Sequence, residues 1–218
     1  MNEQTQSLET LQDIRRMMNR SSRFLSLSGL SGIAAGIWGL IGSWAAGRRI
    51  GAYYDDLDRG QVSRGGLNEL LWHLVVLAAV VLALAVASAF FFTWRRARKQ
   101  GVGMWDRSSR QLAINLMIPL VSGGLLILSL LRYESGLLLG FIAPLSLIFY
   151  GLALVNGSKY TVNDIRYLGV AEILLGLVAT QYIGYGLIFW AIGFGALHIV
   201  WGFFMWWKNE RGEAPEKA

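Results

Sequence analysis

The chain has 218 residues, of which 54% are hydrophobic and 16% charged, with a net charge of +6 and no cysteine. A soluble domain carries about 25% charged residues, so this chain has too few charges to cover a water-exposed surface. The same composition excludes a disordered protein, a collagen, a coiled coil and a disulfide-stapled secreted fold. The class that remains is a polytopic membrane protein.

Residues 1–23 are largely polar and precede the first apolar run. Within them, apolar side chains recur at spacings of three and four residues: Leu8, Leu11, Ile14, Met17 and Met18. This pattern predicts an amphipathic helix that lies on the membrane surface. A docking helix for a cytoplasmic protein partner is the alternative interpretation.

Residues 24–207 form the predicted transmembrane domain. Crossing a hydrocarbon core of roughly 30 Å takes about 20 apolar residues in a helix. The segments that meet this requirement are 24–47, 70–94, 112–131, 135–158 and the stretch 167–207, which is long enough for two spans. Gly184, Tyr185 and Gly186 predict the turn that divides the last stretch. Because the runs are continuously apolar and do not alternate, the expected fold class is an all-α membrane protein with six transmembrane helices.

The positions of the basic residues predict the orientation. With the N-terminus in the cytoplasm, fifteen of the twenty Lys and Arg residues flank the spans on the cytoplasmic side. The positive-inside rule therefore places both termini in the cytoplasm, with residues 208–218 as a disordered cytoplasmic tail. Residues 48–69, the expected first outside loop, depart from the rule because they hold four Arg among four acidic residues. The basic charge is explained by topology, so we expect a lipid bilayer and no nucleic acid as partner.

Small residues recur along one side of the first span, every three or four positions: Ser28, Gly32, Gly36, Gly39, Ser43 and Ala46. Such a stripe lets helix backbones approach closely in lipid. Tight helix packing is the first interpretation, and a glycine-lined path for a solute is the second.

Two ionisable residues lie deep within the last two spans. Glu172 and His198 each lie roughly 12 Å from the predicted cytoplasmic surface, on consecutive antiparallel helices. A lone charge at this depth costs at least a few kcal/mol, and a hydrogen bond between the two gives each a partner. Tyr150, Asn115 and Asn156 fall in the same half of the membrane. We expect these five side chains to line a polar pocket open to the cytoplasm; alternatively, Glu172 and His198 only tie two helices together.

Conventional catalytic motifs are missing from the sequence, including zinc-binding His pairs, nucleophile elbows and phosphate-binding loops. With two His and no Cys, the chain offers few ligands for soft or borderline metals. We therefore expect no metal and no cofactor, and an enzyme is the least favoured class.

Several stretches resemble a family of uncharacterised bacterial integral membrane proteins. The marker is Arg20-Ser21-Ser22-Arg23-Phe24, followed by Ser26-Leu27-Ser28-Gly29-Leu30-Ser31-Gly32-Ile33. Further similar stretches are 150–156, 158–160 and 164–169, the last of which begins with Asp164, a candidate N-cap for the fifth span. The resemblance implies a small multi-pass protein of the bacterial inner membrane and carries no activity.

Three function classes remain. The first is a sensory or scaffold membrane protein, whose basic cytoplasmic face and N-terminal helix bind a soluble partner. The second is a transporter or channel for a small solute or a proton, which uses Glu172 and His198 as the exchangeable pair. The third is an intramembrane enzyme that acts on lipid, for which the sequence shows no nucleophile and base.

Overall fold

The structure is a computed structural model that describes residues 28–62, 65–101, 107–132, 136–209 and 211. The predicted amphipathic helix in residues 1–23 and residues 212–218 of the predicted tail lie outside this part of the chain. The described residues form helices joined by turns, and none of them forms a β-strand.

Three long helices come first in the described part of the chain. They are α1 at Gly29–Asp58, α2 at Gly66–Lys99 and α3 at Arg107–Leu130. The Ser28 side chain caps α1 by accepting a hydrogen bond from the Leu30 backbone N–H at 3.3 Å. Capping by Ser supplies one of the acceptors that the first turn of a helix lacks.

The second half of the chain forms three more helices. A short helical segment, Gly136–Gly140, leads into α4 at Ile142–Gly157, and one 3₁₀ turn at Ser158–Tyr160 follows it. Helix α5 occupies Ile165–Ala179. Helix α6 covers residues 186–209 in three parts: Gly186–Trp190 is α-helical, Ala191–Leu197 is π-helical and His198–Asn209 is α-helical again.

Among the described residues, five helical segments are long and apolar enough to cross a membrane: Gly29–Asp58, Gly66–Lys99, Arg107–Leu130, Leu138–Tyr160 and Gly186–Lys208. Helix α5 has 15 residues, which corresponds to about 22 Å of helix. It lies antiparallel to α4, since Gly151 faces Gly169 and Pro144 faces Gly176. The described residues therefore form the helical fold of a membrane protein, with five helices long and apolar enough to span a membrane and a shorter sixth helix packed among them.

The structure corrects two predicted boundaries. The expected outside loop 48–69 is mostly helical, because α1 continues to Asp58 and α2 begins at Gly66. Hydropathy locates the apolar part of a helix, whereas polar residues extend the same helix into water. At the other end of the chain, α6 continues through Asn209, so residues 208 and 209 of the predicted tail are helical.

The helices pack as a central group of three with three further helices around it. Helices α4, α5 and α6 contact one another, α1 packs against α6, and α2 packs against α1 through a hydrogen bond from Trp38 Nε1 to Ser88 Oγ at 3.0 Å. Helix α3 packs against α4. Helices α2 and α3 bury few of their residues against the others, since only 6% of the residues in the most apolar 18-residue stretch of each are fully buried.

Glycines lie at two close helix crossings. Between α4 and α5, a Cβ on Gly151 would lie 2.5 Å from the Gly169 carbonyl oxygen, and a Cβ on Gly169 would lie 2.7 Å from that of Gly151. Between α1 and α6, a Cβ on Gly36 would lie 2.7 Å from the Gly195 carbonyl oxygen. The stripe of small residues on α1 therefore serves close helix packing, the first of the two interpretations made from the sequence.

Candidate functional site

The candidate site lies where α4, α5 and α6 meet. Glu172 is the middle residue of α5, and His198 is the first residue of the last α-helical part of α6. Tyr150 reaches the same point from α4. Each helix of the central group thus contributes one polar side chain to an otherwise apolar contact.

An ion pair at one end of the bundle aligns α5 with α6. The sequence predicted Asp164 as the N-cap of α5, but its side chain makes no capping hydrogen bond. The Asp164 carboxylate instead accepts hydrogen bonds from Lys208 Nζ at 3.0 and 3.2 Å. Counted from this pair, Glu172 lies about 12 Å along α5 and His198 about 15 Å along α6, so the two side chains reach similar depths.

Glu172 is fully buried, with 0% of its surface exposed, and His198 is 5% exposed. The Glu172 Oε1 atom lies 3.4 Å from His198 Nδ1. Within the described part of the chain, neither carboxylate oxygen receives a hydrogen bond. The imidazole, which is charged only when it is protonated, is therefore the ion-pair partner available to the acid, since no hydroxyl or amide among these residues solvates it.

The His198 ring makes two hydrogen bonds that determine its orientation. Nδ1 lies 2.9 Å from the carbonyl oxygen of Gly193, five residues earlier in α6. Nε2 lies 2.7 Å from the Tyr150 hydroxyl. Because a carbonyl oxygen only accepts, Nδ1 carries a hydrogen and donates it to Gly193. The imidazole is thus held between α4 and its own helix, with Nδ1 on the side of Glu172.

The π-helical stretch places the Gly193 carbonyl beside this ring. π-Helical turns are rare in proteins and occur frequently at functional sites. A Cβ on Gly193 would lie 2.6 Å from Glu172 Oε2 and 3.3 Å from Leu175 Cδ2, and it would also contact Leu147 Cδ2. Glycine at this position therefore makes room for the carboxylate, and the surrounding side chains fill the remaining space.

Aromatic rings pack on the α4 side of the site. The Phe194 ring lies 5.0 Å from the Tyr150 ring and 6.1 Å from the His198 ring, measured between centroids. Trp190 packs on the other side of Phe194 at 4.8 Å. These ring contacts pack beside the hydrogen bond between Tyr150 and His198 and help to hold both rings in place.

The five predicted site residues fall into two groups. Glu172, His198 and Tyr150 lie together, whereas Asn115 and Asn156 form a separate pair between α3 and α4. Asn156 Nδ2 donates to the Asn115 backbone carbonyl at 3.0 Å and to its Oδ1 at 3.2 Å. Asn115 Nδ2 donates to the Gln111 carbonyl at 2.8 Å. The asparagines therefore bond each other, Asn115 also bonds its own helix, and neither contacts the acid or the imidazole.

The sequence reasoning missed Gly193 and the π-helical stretch. The available signal was the pair Gly193 and Gly195 within an apolar span, five and three residues before the buried His198. Among the described residues, no group of three His, Cys, Asp or Glu side chains is arranged to hold a metal ion.

Comparisons with protein-family models, with curated proteins and with solved structures find no match for this chain. A functional interpretation therefore rests on the geometry and chemistry of the residues described above.

Proposed function

We propose that the protein is a sensory membrane protein in which Glu172 and His198 together bind and release a proton inside the helical bundle. The observation that carries this proposal is a fully buried carboxylate without a hydrogen-bond donor, 3.4 Å from an imidazole nitrogen. Ionisable residues at this depth in a membrane are costly and are functional by default.

One proton can be held by this pair in two ways. A proton on Glu172 makes the acid neutral beside a neutral ring. Alternatively, the same proton on the imidazole makes the ring positively charged beside an ionised carboxylate. Removing the proton from the pair leaves a buried carboxylate next to a neutral ring, and breaking such compensation costs about 3–5 kcal/mol. That free energy is available to change the packing of α5 against α6.

The size of the site favours a proton over a larger solute. The space beside the carboxylate is bounded by Gly193, Leu147 and Leu175, and even one methyl group on Gly193 would overlap Glu172. Protonation changes the charge of the pair without requiring additional volume. The proton is therefore the species that this arrangement accommodates.

The change in packing is expected to reach the end of the bundle where Asp164 binds Lys208. This exposed ion pair joins α5 and α6, and the sequence predicts this end to be cytoplasmic. We propose that a cytoplasmic protein partner reads the change at this end, where the N-terminal residues 1–23 are also expected.

The proposal is tested by measuring the distance between α5 and α6 across a pH series. The chain contains no cysteine, so spin labels attach only at introduced cysteines, such as Val170→Cys and Val200→Cys on the exposed faces of α5 and α6. We expect the distance distribution to change with pH in the otherwise unaltered chain. Glu172→Gln, which is neutral at every pH, is expected to abolish the change.

The matched control is Glu69→Gln, the same chemical change at an exposed position near the start of α2. This variant is expected to keep the full pH response. A distance distribution that is constant with pH in the parent chain, or a response that persists in Glu172→Gln, contradicts the proposal.

Proton transport is a second candidate, favoured by the position of Glu172 halfway along α5. A site equally far from both ends of a short helix is placed to exchange protons with either side of the membrane. Proteoliposomes that contain the protein and an internal pH dye distinguish the candidates. A transporter dissipates an imposed proton gradient faster than protein-free vesicles and loses this activity in Glu172→Gln, whereas a sensor leaves the gradient intact.

A further inference from the structure

The two nitrogens of His198 face partners of different chemistry. Nδ1 faces the Gly193 carbonyl oxygen at 2.9 Å, and this oxygen can only accept a hydrogen bond. Nε2 faces the Tyr150 hydroxyl at 2.7 Å, and a hydroxyl can either donate or accept. The two sides of the ring are therefore not equivalent with respect to a proton.

The partners determine which nitrogen holds the hydrogen of the neutral ring. If that hydrogen were on Nε2, the lone pair of Nδ1 would point at the carbonyl oxygen of Gly193 in a site closed to water. With the hydrogen on Nδ1, Nδ1 donates to Gly193 and Nε2 accepts from Tyr150, so both hydrogen bonds are satisfied. An unsatisfied buried polar group costs about 1–3 kcal/mol, which is enough to decide between the two tautomers.

We infer that Tyr150 is a positioning residue for the proton site: it allows His198 to gain and lose a proton at Nε2 while Nδ1–H stays fixed toward Gly193 and Glu172. In the neutral ring the Tyr150 O–H donates to Nε2. In the doubly protonated ring Nε2–H donates to the Tyr150 oxygen, after a rotation of the hydroxyl. Phenylalanine at this position could do neither.

The role of Tyr150 in proton binding rests on the proposed function, whereas the hydrogen-bond geometry of His198 does not depend on that function. The titratable groups that face His198 are Glu172 from α5 and Tyr150 from α4. Helix α1, which packs on another side of α6, presents Gly32 and Gly36 near this turn. Among the described residues, the choice of tautomer is therefore set by Gly193, Tyr150 and Glu172 alone.

The test is nitrogen NMR of the full chain in lipid bilayers, with histidine labelled at both ring nitrogens. The chain has two histidines, and His73→Gln leaves His198 as the single source of signal. In the neutral state we expect Nδ1 to resonate as a protonated nitrogen and Nε2 as a hydrogen-bonded lone-pair nitrogen. On acidification only Nε2 is expected to change type.

Tyr150→Phe is expected to move the Nε2 resonance toward that of a lone-pair nitrogen without a hydrogen bond, while Nδ1 stays protonated. Tyr167→Phe, at an exposed tyrosine of α5, is the control and should leave the spectrum unchanged. A neutral ring protonated at Nε2, or identical spectra for Tyr150→Phe and its parent, overturns the inference.

Folding of each variant is checked by thermal unfolding. The variant Glu172→Gln, which should keep Nδ1 protonated, gives a second measurement of the same tautomer.

The outcomes separate this inference from the proposed function. If the neutral spectrum shows Nδ1–H and responds to Tyr150→Phe, and Nε2 changes type on acidification, but the distance between α5 and α6 does not respond to pH, the positioning role stands and the sensory proposal fails. If the helix distance responds to pH but the tautomer is reversed, the sensory proposal stands and Tyr150 does not act as inferred.

Discussion

At the scale of single residues, the site depends on the absence of a side chain at Gly193 as much as on the presence of Glu172. The carboxylate occupies the space that a Cβ at this position would fill. A fully buried acid is accommodated here because Gly193 leaves space for it and the imidazole of His198 lies 3.4 Å from its Oε1 atom. The positions of Glu172, His198 and Gly193 therefore depend on one another.

We predict that Gly193→Ala lowers the free energy of unfolding by about 1–3 kcal/mol, the usual cost of overpacking a filled interior. The new methyl group would lie 2.6 Å from Glu172 Oε2 and displace it or separate α5 from α6. Thermal or denaturant unfolding in detergent measures the effect. Gly124→Ala is the control, since a Cβ there meets nothing within 4 Å, and an equal loss in both variants would contradict the prediction.

The pair Asn115 and Asn156 illustrates a polar contact that holds helices together without taking part in the site. We predict a coupling energy of about 0.6 kcal/mol between them, the average of interhelical hydrogen bonds in a membrane. A double-mutant cycle of Asn115→Ala, Asn156→Ala and the double variant measures this term directly. If the two substitutions change the free energy of unfolding additively, the coupling energy is zero and the prediction is contradicted.

At the scale of elements, the glycines on facing helices decide which helices are neighbours. Lipid supplies no hydrophobic drive for association between helices, so close backbone contact and packing take its place. Helix α1 uses its small residues against α6, and α4 and α5 use Gly151 and Gly169 against each other. Between these two crossings, α6 is held on one side by α1 and on the other by the site.

We predict that Gly202→Ala weakens the crossing of α1 and α6. A Cβ on Gly202 would lie 2.6 Å from the Ile33 backbone nitrogen and 2.7 Å from the Gly29 carbonyl oxygen. Because backbone atoms cannot rotate away, the helices must separate, at a cost of about 1–3 kcal/mol in unfolding experiments.

The matched control for this crossing is Gly51→Ala, which lies on an exposed part of α1 where a Cβ meets nothing within 4 Å. Alanine in place of an exposed helical glycine is expected to stabilise the helix by roughly 0.5–1 kcal/mol. Gly202→Ala and Gly51→Ala should therefore change the free energy of unfolding in opposite directions. A change in the same direction would contradict the predicted role of Gly202 at the contact of α1 with α6.

At the scale of the whole molecule, the first two helices are much longer than a membrane is thick. Helices of 30 and 34 residues are about 45 and 51 Å long, against a hydrocarbon core of roughly 30 Å. Their excess length includes the charged residues 48–58 and the start of α2. The hairpin of α1 and α2 is therefore expected to extend into water beyond the other helices.

The orientation predicted from the basic residues is tested on this hairpin. We expect Asp58→Cys to react with a membrane-impermeant thiol reagent in intact cells, and Lys159→Cys to react only after the membrane is permeabilised. Both positions are exposed, and the cysteine-free parent provides the blank. The reverse pattern of labelling would invert the predicted topology.

Much of this architecture could be predicted from the sequence, because each determining property is local. A run of about 20 apolar residues without charge must be helical in lipid, where every backbone N–H and C=O has to be satisfied within the segment. Gly184 to Gly186 likewise identified the turn before α6. The depths of Glu172 and His198 followed from counting residues along two helices joined by that turn.

The tertiary structure decided the properties that depend on the rotation of one helix against another. Tyr150 bonds His198, whereas Asn156, on the same helix and predicted in the same half of the membrane, bonds Asn115 instead. The π-helical stretch in α6 and the extension of α1 to Asp58 also have no signature in hydropathy. Which faces meet is set by close contacts between distant glycines, and those contacts exist only once the helices are packed.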